Sequence, residues 1–441
     1  MASSPAPDGR AAAARRILAH LADQLQADLS VRLWTGEIVP LKDGARDDIL
    51  LRLESPSVIR RLMLRPGLMT VFELVAEGLI AVEGGSVLDA YDRWDHGKAI
   101  HLIKTVDKGL ILRNALPFLF GPADKGQDVP TWDRRGEDGV GAKRSSRKDK
   151  AYIAFHYDVS NAFYQLFLDP EMAYSCGYYA DEDVSLADAQ TAKFDRICKK
   201  LRLKPGDRLL DIGCGWAGLS CWAAEKYGAT VLGVTLSEEQ LAFGRAKVEA
   251  AGLSDRVELK LLDYREVTGK FDKIAQCEMF EHVGFANHDA HFQLMHKLLK
   301  PGGLYFHQAS VRRGGSDPKN IAPKTDATRV MARFIFPGGE LDTIGMTVTN
   351  LGRLGFEVLD VEDLREHYMK TTRSWSERLY ANRAAAEAEV GPARVQLWLM
   401  YFALSNIGFT RASCLVYQTV AQRRRAGRSG MPLDRRLRFS E

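Results

Sequence analysis

Leu209-Leu210-Asp211-Ile212-Gly213-Cys214-Gly215-Trp216-Ala217-Gly218 is the stretch that decides the fold of this chain. The turn-forming Lys204-Pro205-Gly206-Asp207 precedes it, and a helix-compatible run over residues 219–226 follows. The order is therefore strand, glycine turn, helix. Glycines at such a turn let the backbone come close to a ligand at the carboxyl end of a buried strand. The spacing Gly213-x-Gly215-x-x-Gly218 also fits a dinucleotide fingerprint. Two features favour S-adenosylmethionine over NAD. Asp211 stands just before the first glycine, where a carboxylate can steady the loop and meet a cationic ligand. The next strand, Thr230-Val231-Leu232-Gly233-Val234-Thr235, ends without the acidic residue that a nicotinamide site uses for its ribose.

Strands are expected at 208–212, 230–234, 257–261, 272–277 and 303–308, with helices between them. This alternation predicts an α/β domain with a doubly wound, mostly parallel sheet, the Rossmann-like fold of S-adenosylmethionine-dependent methyltransferases. Residues 356–360 read as a late strand, and 378–388 and 393–422 as C-terminal helices. Before this domain lie a helix over 11–29, a hairpin over 31–40, a strand at 49–53, a helix at 57–65 and a helix-rich stretch to about residue 103. The expected organisation is a small α+β domain (1–105), a linker rich in Gly, Pro, Asp and Arg (106–150) and a catalytic domain (151–441).

The net charge is only +4, so the placement of the basic residues matters more than their total. Lys143, Arg144, Arg147, Lys148 and Lys150 cluster in the linker, and Arg423, Arg424, Arg425, Arg428, Arg435, Arg436 and Arg438 in the tail. Such clusters attract anionic lipid head groups by ~1 kcal/mol per basic residue near the surface. No aromatic stacking platform accompanies them, which argues against nucleic acid as a partner. Six cysteines without a CxxC pair argue against a zinc ribbon or a disulfide framework and suit a reducing cytoplasm. The N-terminus lacks the apolar core of a secretory signal. The most apolar long run, residues 395–409, is broken by Gln396, Ser405 and Asn406 and falls short of the ~20 residues that span a bilayer. The expected location is cytoplasmic, peripheral at the inner membrane surface.

Four further segments carry chemistry. Aromatic and small polar residues interleave in Phe155-His156-Tyr157-Asp158-Val159-Ser160-Asn161-Ala162-Phe163-Tyr164 and in Met172-Ala173-Tyr174-Ser175-Cys176-Gly177-Tyr178-Tyr179. Gln276-Cys277-Glu278-Met279-Phe280-Glu281-His282-Val283-Gly284 leaves the fourth strand, at the edge where such sheets bind ligands. It lacks the Asp/Asn-Pro-Pro-aromatic motif of nucleobase amine methylation. The run 298–307 turns into the fifth strand, which is expected to end with His307 at the same edge as Glu281. Phe334-Ile335-Phe336-Pro337-Gly338-Gly339, with Tyr368 after the late strand, can cover a hydrophobic substrate. His282, His288, His291 and His296 lack a carboxylate set at metal-ligand spacing, so no metal is expected.

From Ala151 to about Gln422 the chain resembles the cyclopropane-fatty-acyl-phospholipid synthase family. The resemblance rests on Tyr157-Asp158-Val159-Ser160-Asn161-Ala162-Phe163-Tyr164, Tyr174-Ser175-Cys176, Leu210-Asp211-Ile212-Gly213-Cys214-Gly215-Trp216, Gly233-Val234-Thr235-Leu236-Ser237, Met279-Phe280-Glu281-His282-Val283-Gly284 and Ile335-Phe336-Pro337-Gly338-Gly339. The N-terminal region resembles, less sharply, the accessory lipid-binding domain of the bacterial long form. The resemblance implies methyl transfer from S-adenosylmethionine to a cis double bond in a phospholipid acyl chain, followed by proton loss and ring closure. It further implies that Tyr174, Ser175, Asp211, Gly213, Cys214, Gly215, Trp216, Thr235, Gln240, Asp263 and Tyr264 bind the cofactor. Cys176, Glu281, His307 and Tyr368 match the positions that hold a bicarbonate ion as proton acceptor. A phospholipid bilayer is the implied partner, and a homodimer is left open.

Two departures stand out. His307-Gln308-Ala309 replaces the more usual His-Thr-Ile, which is expected to alter the contacts to the anion. Ser405 aligns with a C-terminal cysteine once proposed as catalytic, which speaks against a covalent cysteine here. Two other outcomes remain open at this point: a methyl- or methylene-branched product, and a lipid-binding scaffold with an idle cofactor domain.

Overall fold

A computed structural model describes residues 8–94, 107–119, 124, 126–129, 131, 152, 156, 159–314, 325–434 and 439. The basic run at 143–150, the tail residues Arg435, Arg436 and Arg438, and Tyr157 and Asp158 of the aromatic motif lie outside the described residues. The chain divides into two compact units.

The first unit comprises Met1–Thr131, Thr325–Val330 and Leu379–Ala403. Its sheet runs β2-β1-β3-β4, with β1 Ser30–Arg32, β2 Ile38–Pro40, β3 Leu50–Leu53 and β4 Ile80–Glu83. β1 and β2 form the expected antiparallel hairpin, and β3 joins β1 in parallel. The helix Gly9–Leu25 starts where the Asp8 carboxylate accepts from the Arg10 N–H, a side-chain cap of a free helix end. Its Ala13, Ala14, Ile17 and Leu25 pack in one cluster with Leu33 and Phe118. Two elements differ from the sequence reading. β4 interrupts the stretch read as helical, bounded by Gly78 and Gly84, both at positive φ. The helix Lys108–Leu119 falls inside the stretch read as linker and belongs to this unit.

The second unit comprises Trp132–Lys324, Met331–Arg378 and Leu404–Glu441. It holds a seven-stranded sheet of order β10-β11-β9-β8-β5-β6-β7. The strands are β5 Arg208–Ile212, β6 Thr230–Thr235, β7 Val257–Leu261, β8 Phe271–Cys277, β9 Leu299–Arg312, β10 Phe356–Asp363 and β11 Cys414–Arg423. β7, β6, β5, β8 and β9 run parallel, whereas β11 pairs antiparallel with both β9 and β10. Successive strand residues face opposite sides. Leu209, Val231, Leu259 and Phe306 therefore feed one core, and Leu210, Leu232, Ile274 and Tyr305 the other. The predicted α/β class and the doubly wound, mostly parallel sheet are the observed ones. From β5 the chain winds outward to β6 and β7, then returns to β8 on the other side. That reversal opens a crevice above the carboxyl ends of β5 and its neighbours.

Three expectations need correction. Residues 414–422 are not helical: the helix Pro392–Thr410 ends, Ala412 takes a left-handed φ of 50°, and β11 begins at Cys414. The apolar run continues, but β-branched Val416, Thr419 and Val420 suit the pleated surface between β9 and β10. Residues 378–388 belong to two helices, Arg365–Ala381 and Arg383–Val390. His307 is not at a strand end. Pairing with β11 extends β9 to Arg312, so His307 sits within the strand, level with Gln276. Among the described residues, no helix is long and apolar enough to cross a membrane.

Candidate active site

The crevice is a partly open cavity, and the ≈ 1190 Å³ of empty space in and around it includes its solvent-filled mouth. All eleven residues expected to bind the cofactor line it: Tyr174, Ser175, Asp211, Gly213, Cys214, Gly215, Trp216, Thr235, Gln240, Asp263 and Tyr264. The local fold explains why. Gly213 and Gly215 take φ of 73° and 53°, the left-handed region that glycine enters at little cost. The N–H groups of Gly213 and Cys214 both donate to the Val234 carbonyl, at 3.0 and 3.1 Å, pinning the loop to β6. A Cβ on Gly218 would stand 2.7 Å from the Phe194 ring, so that glycine serves close packing. Trp216 donates through Nε1 to Asn161 at 2.6 Å.

The polar groups in the cavity are partly spoken for. The buried Asp211 accepts from the Ser220 hydroxyl at 2.7 Å, and burial raises its carboxyl to about 6. Thr235 donates to Gln240 at 2.8 Å. Asp263 accepts from both the N–H and the guanidinium of Arg265, which also lines the cavity. Ser175 accepts from the ammonium of Lys193 at 2.6 Å, and that lysine is only 1% exposed. The ring of Tyr174 packs against Tyr164 and Trp375 at 5.5 and 5.0 Å, and Tyr164 against Trp216 at 4.9 Å.

Among the described residues, hydrogen bonds bring two of the four residues expected around the anion to a shared partner. Cys176 and Tyr368 meet, through Glu278. The Cys176 N–H donates to Glu278 Oε1 at 2.9 Å, and the Tyr368 hydroxyl donates to Glu278 Oε2. The Cys176 thiol lies 3.7 Å from the Leu364 carbonyl and is held as a thiol, burial pushing its ionisation far up. Glu281 accepts from the Ser310 N–H at 2.6 Å, while its enclosed Oε2 has no partner among the described residues. His307 contacts the Tyr305 hydroxyl through Nδ1 at 3.1 Å, and its enclosed Nε2 likewise has none among them. Burial lowers His307 to about 3, so the imidazole is neutral. Its ring packs on Phe280 at 4.7 Å. Of the segment 276–284, it is Cys277, Glu278, Met279, His282 and Val283 that line the cavity, not Glu281.

Two functional side chains therefore escaped the sequence reading. Glu278 stood in the quoted segment, directly after β8, and that position was its only signal. Lys193 sits within the helix Leu186–Lys200 and carries no motif.

The raised carboxyls have a consequence for stability. Burial lifts Asp211 to about 6, Asp342 to about 7 and Glu281 to about 8. The unfolded chain loses these protons first, near pH ~4. Up to about pH 6.5 the buried histidines oppose this, since the unfolded chain protonates His156, His291 and His307 and the folded one does not. Between about 6.5 and 8 the raised carboxyls act alone, the unfolded chain binds fewer protons, and stability falls as pH rises. The melting temperature is expected to decline over this window. Glu281→Gln should flatten the decline at its alkaline end. Melting curves of the two proteins with the same pH dependence would contradict this.

Comparison with known proteins follows the same lines. The profile of the family described as mycolic acid cyclopropane synthetase matches residues 144–419. A probable fatty acid methyltransferase of Pseudomonas putida is 37% identical over 413 residues, spanning 92% of this chain and 95% of that one. Cyclopropane mycolic acid synthase 1 of Mycobacterium tuberculosis is 37% identical over 246 residues, 54% of this chain and 85% of that protein. The structure of mycolic acid cyclopropane synthase CmaA1 complexed with SAH and CTAB superposes with a TM-score of 0.59 at 33% identity, covering 62% of this chain and 98% of that one. The glycine-cradled cavity on a mostly parallel sheet is thus that of an S-adenosylmethionine-dependent methyltransferase acting on lipids, and the chain belongs to the mycolic acid cyclopropane synthetase family.

Proposed function

We propose that this protein transfers a one-carbon unit from S-adenosylmethionine to the cis double bond of an unsaturated phospholipid acyl chain, with closure of a cyclopropane ring. The observation that carries the reading is a cavity fit for the cofactor, walled by aromatic rings and bearing a carboxylate, Glu278, beside the glycine loop. The residues present suit the cofactor. The glycine turn leaves open space where a Cβ on Gly215 would stand, and Asp211, Lys193, Gln240 and Asp263 offer charge and hydrogen bonds. When bound, the cofactor supplies a methyl group on an electrophilic sulfonium.

The chain's own residues do the rest. An alkene is a poor nucleophile, so the walls must hold the double bond in line with the methyl group. Methylation leaves a carbocation in the acyl chain. Tyr174 and Trp216 line the cavity and are backed by the buried Tyr164 and Trp375, an aromatic wall that favours a cation over water. A base must then take a proton.

Bicarbonate, the base that the family resemblance implies, does not fit these residues as they stand. The Tyr368 hydroxyl, one of the groups that would hold it, already donates to Glu278, and the Cys176 thiol, another, lies against the Gly177 and Leu364 carbonyls. No step is assigned to that ion.

The basic clusters of the sequence support docking at an anionic phospholipid surface. A second reading, transfer that stops at a methyl- or methylene-branched chain, draws on the Pseudomonas putida relative, which matches nearly the whole chain and is named a probable fatty acid methyltransferase.

Extraction of lipids from cells producing the protein should show monounsaturated acyl chains heavier by one CH₂. Proton NMR of those lipids should show ring methylene signals for the first reading and branch signals for the second. Unaltered acyl chains in cells that produce the folded protein would overturn both.

A further inference from the structure

We propose that the Glu278 carboxylate fills, from within the chain, the place that the family resemblance gives to bicarbonate, and that it accepts the proton lost after methyl transfer. The assignment deepens the functional reading above and rests on it. It stands on geometry.

Three donors from three separate elements converge on this one carboxylate. The Cys176 N–H reaches Oε1 at 2.9 Å, the Gln308 side-chain amide of β9 reaches Oε1 at 2.6 Å, and the Tyr368 hydroxyl of the helix Arg365–Ala381 reaches Oε2. Gln308 is one of the two residues, with Ala309, at which the sequence departs from the family's usual His-Thr-Ile. Its amide is oriented by a second one: Gln418 of β11 donates to Gln308 Oε1 at 2.8 Å, which turns the Gln308 NH₂ toward Glu278. The departure thus supplies a donor for a carboxylate that belongs to the chain.

The backbone agrees. Glu278 has a φ of 54°, a left-handed conformation that a glutamate rarely adopts, and its N–H is tied to the Gln308 carbonyl at 2.8 Å. Strained residues of this kind persist where the surroundings over-determine them, commonly at functional sites. An ionised carboxylate offers about four acceptor positions. The three donors leave one, and Glu278 lines the cavity shared with Tyr174, Asp211 and Gly215.

The step balances. Once the alkene has gained the methyl group, its other carbon is cationic. A C–H bond of the new methyl breaks and its electron pair closes the ring; where a 1,2-hydride shift first carries the cationic centre onto the methylated carbon, the same pair forms the double bond of a methylene branch instead. The proton passes to a Glu278 oxygen, which becomes a carboxyl group, and reaches solvent after the product leaves.

Glu278→Gln and Glu278→Gly separate the alternatives, and glycine suits the observed φ, so the second variant relieves the backbone rather than straining it. In the full chain, both should bind S-adenosylmethionine within about threefold of wild type by calorimetry. Both should lose turnover on unsaturated phospholipid vesicles by at least about 100-fold. Wild-type turnover should be unchanged when carbonate is stripped from the buffer. Added bicarbonate or formate should restore Glu278→Gly, where the space is open, and not Glu278→Gln, where an amide fills it. Isotope-labelled bicarbonate followed by NMR should bind saturably to Glu278→Gly and not to wild type, a readout that needs no lipid product. Saturable bicarbonate binding by wild type, loss of wild-type turnover without carbonate, or wild-type turnover in both variants would overturn the assignment. A wild-type protein that alters no lipid would instead overturn the functional reading, and the bicarbonate-binding comparison would still decide who occupies the anion site.

Discussion

Gly215→Val should weaken S-adenosylmethionine binding by at least about 100-fold, about 2.8 kcal/mol. Gly215 lines the cavity, and nothing stands within 4 Å of a Cβ built on it. The valine methyls would therefore take up cavity space rather than press on protein. The φ of 53° adds a cost of its own, because a left-handed backbone disfavours any side chain by roughly 1–2 kcal/mol. Gly215→Ala carries the same backbone cost with a single methyl and serves as the control for it. Gly218→Ala should behave differently: its Cβ would meet the Phe194 ring at 2.7 Å, so the loss would appear in melting temperature before affinity. Calorimetric titration of each folded variant distinguishes the two. Wild-type affinity in a folded Gly215→Val protein would remove the glycine loop from the binding site.

Lys193→Met is the second substitution with a large expected effect. The lysine is 1% exposed, lines the cavity and donates to Ser175 at 2.6 Å. A buried ammonium is costly unless partnered, and Asp211 and Glu278 share the same cavity wall. With the cofactor in this cavity, Lys193 would be one of the groups able to hold the carboxylate of its methionine moiety. Methionine keeps the unbranched stem and removes the charge. Charge-assisted hydrogen bonds contribute about 1.5–3 kcal/mol, so affinity should fall by roughly 10- to 100-fold. Unchanged affinity, with an unchanged melting temperature, would show that Lys193 does not face the cofactor.

What the sequence disclosed and what it hid divide along a physical line. The loop 211–216 was legible because its role is local: a strand, two glycines that must take positive φ and a following helix are contiguous in the chain. The alternation that gave β5 to β9 is local in the same sense. β11 was hidden because an apolar run after a helix looks like more helix. Only the neighbours β9 and β10 make a strand of it. His307 was placed at a strand end for the same reason, since β11 is what prolongs β9. Glu278 shows the limit most plainly. Its significance lies in the meeting of residues 176, 308 and 368, which lie far from it along the sequence. The family resemblance named two of those partners and passed over the carboxylate between them.

Methyl transfer from the bound cofactor to an unsaturated acyl chain can be followed with an isotope. The purified full chain is incubated with S-adenosylmethionine deuterated in its methyl group and vesicles of monounsaturated phospholipid, and the acyl chains are read by mass spectrometry. The label should enter the acyl chain, and the product should keep all but one of the methyl deuterons, the missing one having left as a deuteron. A protein that binds the cofactor yet leaves every acyl chain unlabelled would contradict this.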